Sequence, residues 1–237
     1  MEQGGQRILL TDAQRLDWLR LYRSEGVGPR TFRSLVNRYG GARAALDALP
    51  ALGQRSGKTI IICSIADAER EMAAAARMNV RFVALGEEGY PFPLAQIADP
   101  PPLIGVRGAA AVLKRPSVAI VGSRNASAAG LRMTEILAHG VGEHGYVVVS
   151  GLARGIDARA HEATLETGAI AVLAGGHARL YPPEHAPLAD RIVDAGGAII
   201  SEMPVMWTPR GRDFPRRNRI VSGLALATIV VEAARKS

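Results

Sequence analysis

The sequence predicts an α/β protein in which a small all-α unit precedes a parallel sheet with helices on both faces. Two observations lead to this fold class. From residue 117 onward, short and almost continuously apolar runs alternate with amphipathic stretches, which is typical of strands buried on both faces of a parallel sheet. Residues 11–75 instead repeat their apolar side chains at helical spacing.

The all-α unit is predicted to form helices over residues 11–22, 31–39, 42–49 and 66–78. The turn Gly26-Val27-Gly28-Pro29 is similar to that of a helix–hairpin–helix motif, whose amides can hold a DNA phosphate, but a plain interhelical turn explains it equally well. The segment Gly53–Thr59 has the pattern G-x-x-x-G-K-T, one residue short of a P-loop. Because a helix precedes it instead of a strand, we do not expect it to bind a nucleotide.

The larger unit begins at residue 79. A strand is predicted over Val80–Leu85 and a short edge strand over Leu103–Val106, and the proline-rich segments between them are predicted to be irregular. The alternating region then predicts strands at 117–121, 146–150, 169–174, 197–201 and 226–232, and helices at 127–143, 156–167, 184–195 and 215–224. We therefore divide the chain into a helical domain, residues 1–78, and an α/β domain, residues 79–237.

The charge of the chain favours an anionic partner. Its 29 Lys and Arg residues exceed its 22 Asp and Glu residues, for a formal net charge of +7, although a generally basic proteome gives the same balance. The single cysteine, Cys63, excludes a disulfide framework and a cysteine-based metal site. No apolar run approaches the ~20 residues of a membrane span, and Met1–Arg7 lacks the apolar core of a signal peptide, so a soluble cytoplasmic protein is expected.

Two predicted strands run into short polar loops that carry an arginine. The strand at 117–121 leads into Gly122-Ser123-Arg124-Asn125, and the strand at 146–150 leads into Gly151-Leu152-Ala153-Arg154. In a parallel sheet both loops open at the carboxyl edge, where free backbone amides, helix dipoles and arginines would favour a phosphate. An ordinary strand–helix turn with a surface arginine is the alternative. The candidate anion-binding residues are Gly122, Ser123, Arg124, Ser150, Gly151 and Arg154.

A third loop, Gly175-Gly176-His177, follows the strand at 169–174. Three loops of small residues at successive strand ends predict a broad cleft for a polyanion. The first of them lacks the G-x-G-x-x-G fingerprint of dinucleotide binding.

The densest charge lies between residues 210 and 219. Five arginines stand there against one aspartate, a net charge of +4, and they are Arg210, Arg212, Arg216, Arg217 and Arg219. Trp207 and Phe214 add aromatic surface. Basic residues interleaved with aromatic ones suit single-stranded nucleic acid, because charge follows the backbone while rings stack on bases. A solvated helix face with one arginine paired to a carboxylate is the alternative.

Evidence for catalysis is sparse. Asp157 and His161 share a helix face and could form an acid–base pair, but a capping aspartate beside a packed histidine is favoured. No nucleophile is matched to a base and no metal-ligand spacing occurs, so the chain is not predicted to be an enzyme or to hold a cofactor or metal. The alternative function is a Rossmann-like nucleotide or phosphoribosyl hydrolase, for which Glu202 is the candidate acid.

The order of these motifs resembles that of the DNA-processing protein A family, DprA, also called Smf. The matching segments are Val121–Arg124, Ser150–Asp157, Tyr181–His185 and Phe214–Leu224, with Tyr90–Leu103 as a lead-in. The N-terminal helical unit resembles the family's sterile-alpha-motif-like (SAM-like) domain, so the resemblance spans nearly the whole chain.

The resemblance implies an extended Rossmann-like, doubly wound parallel sheet and a homodimeric, non-enzymatic protein that binds single-stranded DNA. Such proteins protect incoming DNA in natural transformation and help to load the RecA recombinase. It also implies that Arg124 and Arg154 contact DNA, and that Gly122, Ser123 and Gly151 shape the pocket. The family continues past the position of Ser237 with further strands, often followed by a winged-helix domain. The α/β domain is therefore expected to be truncated at its C-terminus.

Overall fold

A computed structural model describes residues 8–55, 57 and 59–233. Its helices are α1 (Asp12–Arg23), α2 (Pro29–Tyr39), α3 (Ala42–Arg55), α4 (Ile65–Arg77), α5 (Phe92–Ala95), α6 (Ala128–Glu143), α7 (Ile156–Ala163), α8 (Ala186–Asp194) and α9 (Asp213–Leu224). Its strands are β1 (Val80–Ala84), β2 (Leu103–Gly108), β3 (Ser117–Gly122), β4 (Val147–Ser150), β5 (Ala169–Val172), β6 (Ala198–Ser201) and β7 (Ala227–Val231).

Within these described ranges, seven strands form one sheet in the order β1-β2-β6-β5-β4-β3-β7. The five strands from β6 to β7 in this order are parallel to one another. At the β6 side, β2 pairs antiparallel with β6, and β1 pairs antiparallel with β2. The predicted fold class, a helical unit followed by a mostly parallel α/β sheet, is confirmed. The prediction that Leu103–Val106 is an edge strand is wrong, because β2 pairs with β6 on one side and with β1 on the other.

The central strands are buried on both faces, as their continuous apolar runs predict. All residues of β4, β5 and β6 are buried. One face packs against α5 and α9, and the other face packs against α6, α7 and α8. The proline-rich lead-in is not wholly irregular as predicted. It includes α5, where Pro93 occupies the first turn, a position whose amide needs no helical partner.

The helical unit shares a core with the first strands of the sheet. Leu19 of α1 and Leu46 of α3 belong to one buried cluster with Val80 of β1 and Leu103 of β2. A capping box between Thr11 and Gln14 begins α1. Helix α3 runs through Pro50 to Arg55 instead of ending at residue 49, and its apolar side continues into the same core. The domain boundary after residue 78 stays a prediction.

The P-loop-like segment falls partly outside the described residues, which omit Ser56 and Lys58. Its first glycine, Gly53, is buried within α3, so the helix runs into the segment and does not end before it as predicted. Across the part of the chain that the structure describes, none of the helices combines the length and apolar character that a membrane crossing requires.

Candidate functional site

The loops that follow β3 and β4 lie side by side at the carboxyl edge of the sheet. Ser117 pairs with Val147 and Ala119 with Val149 in parallel register. A cavity of about 780 Å³ is lined by Gly122, Ser123, Arg124 and Gly151, and by Arg217 and Arg219 from α9. A second cavity, of about 380 Å³, is lined by Arg124, Arg154, Tyr181 and Phe214. The two cavities share Arg124, Asn125, Gly151 and Ala153, and we call the continuous depression the carboxyl-edge groove.

Arg124 is exposed where the two cavities meet. Its guanidinium lies 4.9 Å from the centroid of the Phe214 ring, a cation–π contact. Phe214 in turn meets Tyr181 edge-to-face, with their centroids 5.5 Å apart. Among the residues that the structure describes, no carboxylate lies within ion-pair distance of Arg124. The Arg124 guanidinium is therefore positioned by an aromatic ring, and no acid among the described residues neutralises its charge.

Arg154 also reaches the groove, but it is paired. Its Nε donates a hydrogen bond of 2.6 Å to Glu184, and both side chains are exposed. Hydrogen bonding from the Glu184 amide and from Arg154 lowers the pKa of the Glu184 carboxyl. A phosphate bound at Arg154 would have to share or replace this carboxylate.

Several amides at the two loops are not free, contrary to the expectation. Asp157 accepts hydrogen bonds from the amides of Gly151 at 3.1 Å and Ala153 at 3.4 Å. The Ser127 amide, at the start of α6, donates to the Glu232 carboxylate at 2.9 Å. The protein's own acids thus occupy the places expected for an anion. The capacity to bind one lies in the arginine side chains.

The glycine at position 122 is explained by the packing of β3 against β7. A Cβ there would lie 1.9 Å from the Val231 carbonyl oxygen of β7. Ser150 does not face the groove. Its side chain is buried and donates a hydrogen bond of 2.6 Å to the Ile120 carbonyl, so it ties β4 to β3.

Arg217 forms the floor of the groove beside Gly151. Its Nη1 donates to the Val172 carbonyl at 2.5 Å, and a Cβ at position 151 would lie 1.9 Å from the same nitrogen. Burial lowers the pKa of Arg217, and the Asp157 charge opposes this effect. Burial raises the pKa of Asp157, which the Arg217 charge opposes. Arg217 is 6% exposed and is held by the Val172 carbonyl, so its guanidinium stays at the floor of the groove.

The other arginines of the 210–219 run are divided among different environments. Arg219 lines the groove, but it contacts the buried Glu202 carboxylate and lies 3.7 Å from Asp99. Arg216 donates to Glu202 at 3.0 Å, and Arg210 lies 4.5 Å from the Trp207 ring. Arg212 is exposed, and it lines a separate cavity of about 690 Å³ between the helical unit and α9. The run does not form one continuous face.

The third loop does not open into the groove, so that part of the predicted cleft is wrong. The loop is covered by the segment after β6, because the Gly176 amide donates to the Trp207 carbonyl and the Ala178 amide to the Val205 carbonyl, each at 2.9 Å. His177 is buried with Nε2 3.0 Å from the Gly105 carbonyl. Burial lowers the pKa of His177 to about 4. Only Ala174 before the loop and Tyr181-Pro182 after it line the groove.

The geometry does not support an acid–base pair of Asp157 and His161. Asp157 accepts the loop amides, whereas His161 is fully buried and lines neither cavity of the groove. Burial lowers the pKa of His161 to about 3. Among the described residues, no group of three or more His, Cys, Asp or Glu side chains is placed to hold a metal ion.

The sequence interpretation missed the acids that face the two loops. Glu184 lies in the Tyr181–His185 motif, three residues after the tyrosine. The arginine in the loop after β4 was the signal that could have indicated its pairing with an acid such as Glu184. Glu232 had no such signal, because its position follows from the pairing of β7 with β3.

Comparison with known proteins places this geometry in a family. Residues 81–237 match the family model of the DNA recombination-mediator protein A, and residues 12–74 match a DprA-like N-terminal HHH domain. The chain is 40% identical over 161 residues to Protein Smf of Escherichia coli, covering 67% of this chain and 43% of that protein. It is 37% identical over 171 residues to the DNA processing protein DprA of Bacillus subtilis, covering 71% and 57%. The chain thus spans about half the length of these relatives.

Solved structures give the same result. The fold matches the crystal structure of DNA processing protein A from Streptococcus pneumoniae with a TM-score of 0.73 at 28% identity, over 97% of this chain and 81% of that one. It matches DNA processing protein A from Helicobacter pylori, solved for its single-stranded DNA binding mode, with a TM-score of 0.60 at 29% identity, over 66% and 72%. The chain therefore belongs to the DNA recombination-mediator protein A family.

Proposed function

We propose that this chain binds single-stranded DNA in the carboxyl-edge groove. The observation that carries the proposal is the presence of Arg124, Arg154 and Arg217 around one groove that also exposes aromatic rings. Phosphates contact the arginines, because guanidinium groups bind phosphate oxygens in bidentate fashion. Gly122, Ser123 and Gly151 shape the path of the strand, and Arg219 lines its far side.

The wider function follows from the family and is part of the same proposal. The chain acts as a homodimer in the cytoplasm, protects incoming DNA during natural transformation and helps to load RecA. The relative from Helicobacter pylori, which binds single-stranded DNA, supports the choice of ligand. Three arginines lie outside the groove, namely Arg210, Arg212 and Arg216. We assign them contacts with the part of the DNA strand that extends beyond the groove.

The role is one of holding DNA and not of cleaving it. The alternative, a nucleotide or phosphoribosyl hydrolase, required Glu202 beside the phosphate loops. Glu202 instead contacts Tyr22, Arg216 and Arg219 and does not line the groove. Incubation with nucleoside monophosphates should release no free base. Release of free base by the parent chain would favour the hydrolase.

A gel shift with a labelled oligodeoxythymidine tests the binding site. The double variant Arg124→Ala/Arg154→Ala removes two contacts, each worth about 1.5–3 kcal/mol as charge-assisted hydrogen bonds, so we expect binding to weaken by at least ~100-fold at moderate salt. The matched control is Arg43→Ala/Arg70→Ala. It removes two exposed, ion-paired arginines from the helical unit and should bind like the parent chain. Unchanged affinity of the first variant would overturn the site.

A further inference from the structure

Two consecutive side chains of the Tyr181–His185 motif contact the loop after β4. Glu184 accepts a hydrogen bond from Arg154, and the Nδ1 atom of His185 lies 2.8 Å from the carbonyl oxygen of Leu152. A carbonyl oxygen can only accept a hydrogen bond, so Nδ1 carries a proton and donates it to Leu152. The motif therefore holds both the backbone of this loop and the side chain of its arginine.

Leu152 has a backbone conformation that needs such support. Its φ of 56° lies in the left-handed region, which residues other than glycine rarely adopt. Its side chain is fully buried among apolar residues of β5, β6 and α8. The amides on either side of it, those of Gly151 and Ala153, donate to Asp157. A strained conformation of this kind persists only where the surrounding contacts fix it, and His185 supplies the contact to the Leu152 carbonyl.

The His185 side chain is available for this role because it does not serve its own helix. His185 precedes α8 directly, but its side chain makes no cap hydrogen bond to the amides of that helix. Arg154 follows Leu152 by two residues, so the direction of the chain at Leu152 decides where the Arg154 side chain leaves the loop. A contact that fixes the Leu152 carbonyl thus also fixes the start of Arg154.

We infer that His185 is a positioning residue for DNA binding, because its bond to the Leu152 carbonyl keeps the loop after β4 in the conformation that presents Arg154 to the groove. The inference rests on the proposed function and adds a residue that need not touch DNA. His185 acts on the backbone of the loop. Glu184 has the different role of competing with DNA for the Arg154 side chain.

The first test measures the affinity of His185 variants for a labelled oligodeoxythymidine. His185→Leu removes the donor and should weaken binding by about 2- to 10-fold, as the loss of one hydrogen bond predicts. In His185→Asn the side-chain amide nitrogen takes the place of Nδ1, so this variant should bind like the parent chain. If His185→Leu does not fold, His185→Gln gives the same comparison, because its amide nitrogen takes the place of Nε2 instead.

The second test asks whether His185 acts through Arg154. In a chain that already carries Arg154→Ala, the loop has no arginine to position. His185→Leu should then change the affinity by less than ~2-fold, whereas two independent losses would multiply. Equal weakening by His185→Leu in the two backgrounds would overturn the positioning role.

The matched control is His144→Leu. His144 also places Nδ1 against a backbone carbonyl, that of Gly140 at 2.7 Å, but it does so at the far end of α6. This variant should bind DNA like the parent chain. Parent-like affinity of His185→Leu, or weak binding by His185→Asn, would overturn the positioning role and leave the proposed function standing. Failure of the parent chain to bind the oligodeoxythymidine would overturn the proposed function itself.

Discussion

The hydroxyl of Tyr22 in α1 donates a hydrogen bond of 2.8 Å to the carboxylate of Glu202, 180 residues later in the chain. Glu202 is 3% exposed, and it also accepts a hydrogen bond from Arg216 at 3.0 Å and contacts Arg219. Burial, together with the Glu202 charge, raises the pKa of the Tyr22 phenol. One buried acid therefore joins the helical unit, the end of β6 and the arginine-bearing helix α9.

Removing this acid should destabilise the protein. In Glu202→Gln, Arg216 and Arg219 lose their shared buried counter-charge, and breaking such a pair costs about 3–5 kcal/mol. Urea unfolding measures the change. Tyr22→Phe removes only one hydrogen bond to a charged group and should cost less, about 1.5–3 kcal/mol. A free energy of unfolding for Glu202→Gln equal to that of the parent chain would contradict this account of the junction.

The close approach of β7 to β3 predicts the effect of a methyl group at position 122. In Gly122→Ala the new Cβ would lie 1.9 Å from a backbone oxygen of β7, so the strands must move apart. We expect the free energy of unfolding to fall by about 1–3 kcal/mol. Gly140→Ala is the control, since nothing lies within 4 Å of its Cβ position in α6 and alanine favours a helix by up to about 1 kcal/mol. Equal thermal stability of the two variants would argue against the close strand contact.

The buried histidine at position 177 predicts a pH-dependent stability. Burial lowers its pKa to about 4 in the folded chain, below the ordinary value of about 6.5. As the pH falls from 6.5 to 4, the unfolded chain binds a proton here and the folded chain does not. This group therefore removes about 1.4 kcal/mol of stability per pH unit in that window.

The variant His177→Gln isolates this effect, because its amide can still donate to the Gly105 carbonyl but does not titrate. We expect it to be less stable than the parent chain at pH 8 and to close that gap steadily between pH 6.5 and 4. The measurement is the free energy of unfolding at each pH. A gap that stays constant across this range would show that His177 is protonated in the folded protein.

The ion pair at Arg154 predicts a variant that binds DNA more tightly. Glu184 holds the Arg154 guanidinium and repels a phosphate that approaches it. Glu184→Gln should therefore raise the affinity for single-stranded DNA by a few-fold, most clearly at low salt. Glu162→Gln, which removes an acid paired with Arg159 outside the groove, serves as the control. Weaker binding by Glu184→Gln would mean that the pair positions Arg154 and does not compete with DNA.

The sequence was sufficient to predict the strands and helices whose apolar residues follow a clear period. It was also sufficient to predict that the loops after β3 and β4 open at the same edge of the sheet. A short, continuous apolar run such as Val147–Val149 indicates a strand that is buried on both faces. The sequence was not sufficient for β2, because its second neighbour is β1, and nothing local in Leu103–Val106 specifies that pairing.

The site was only partly predictable, because some of its contacts join residues that are far apart in the sequence. Arg124 and Arg154 follow directly from their strands, so their positions were foreseeable. Which arginines of the 210–219 run pair with an acid depends on Glu202 and Asp99, which other parts of the fold bring to α9. The use of loop amides by Asp157 and Glu232 likewise depends on long-range contacts.

The most direct test of DNA binding through Arg124 and Arg154 is the salt dependence of affinity for single-stranded DNA. The logarithm of the binding constant falls with the logarithm of salt concentration by about 0.7 for each phosphate contacted. For Arg124→Ala/Arg154→Ala, we expect a slope shallower than that of the parent chain by about 1.4, as two contacts require. Arg43→Ala/Arg70→Ala should retain the parent slope. A parent slope preserved in the Arg124/Arg154 variant would contradict the assignment of these arginines to the DNA backbone.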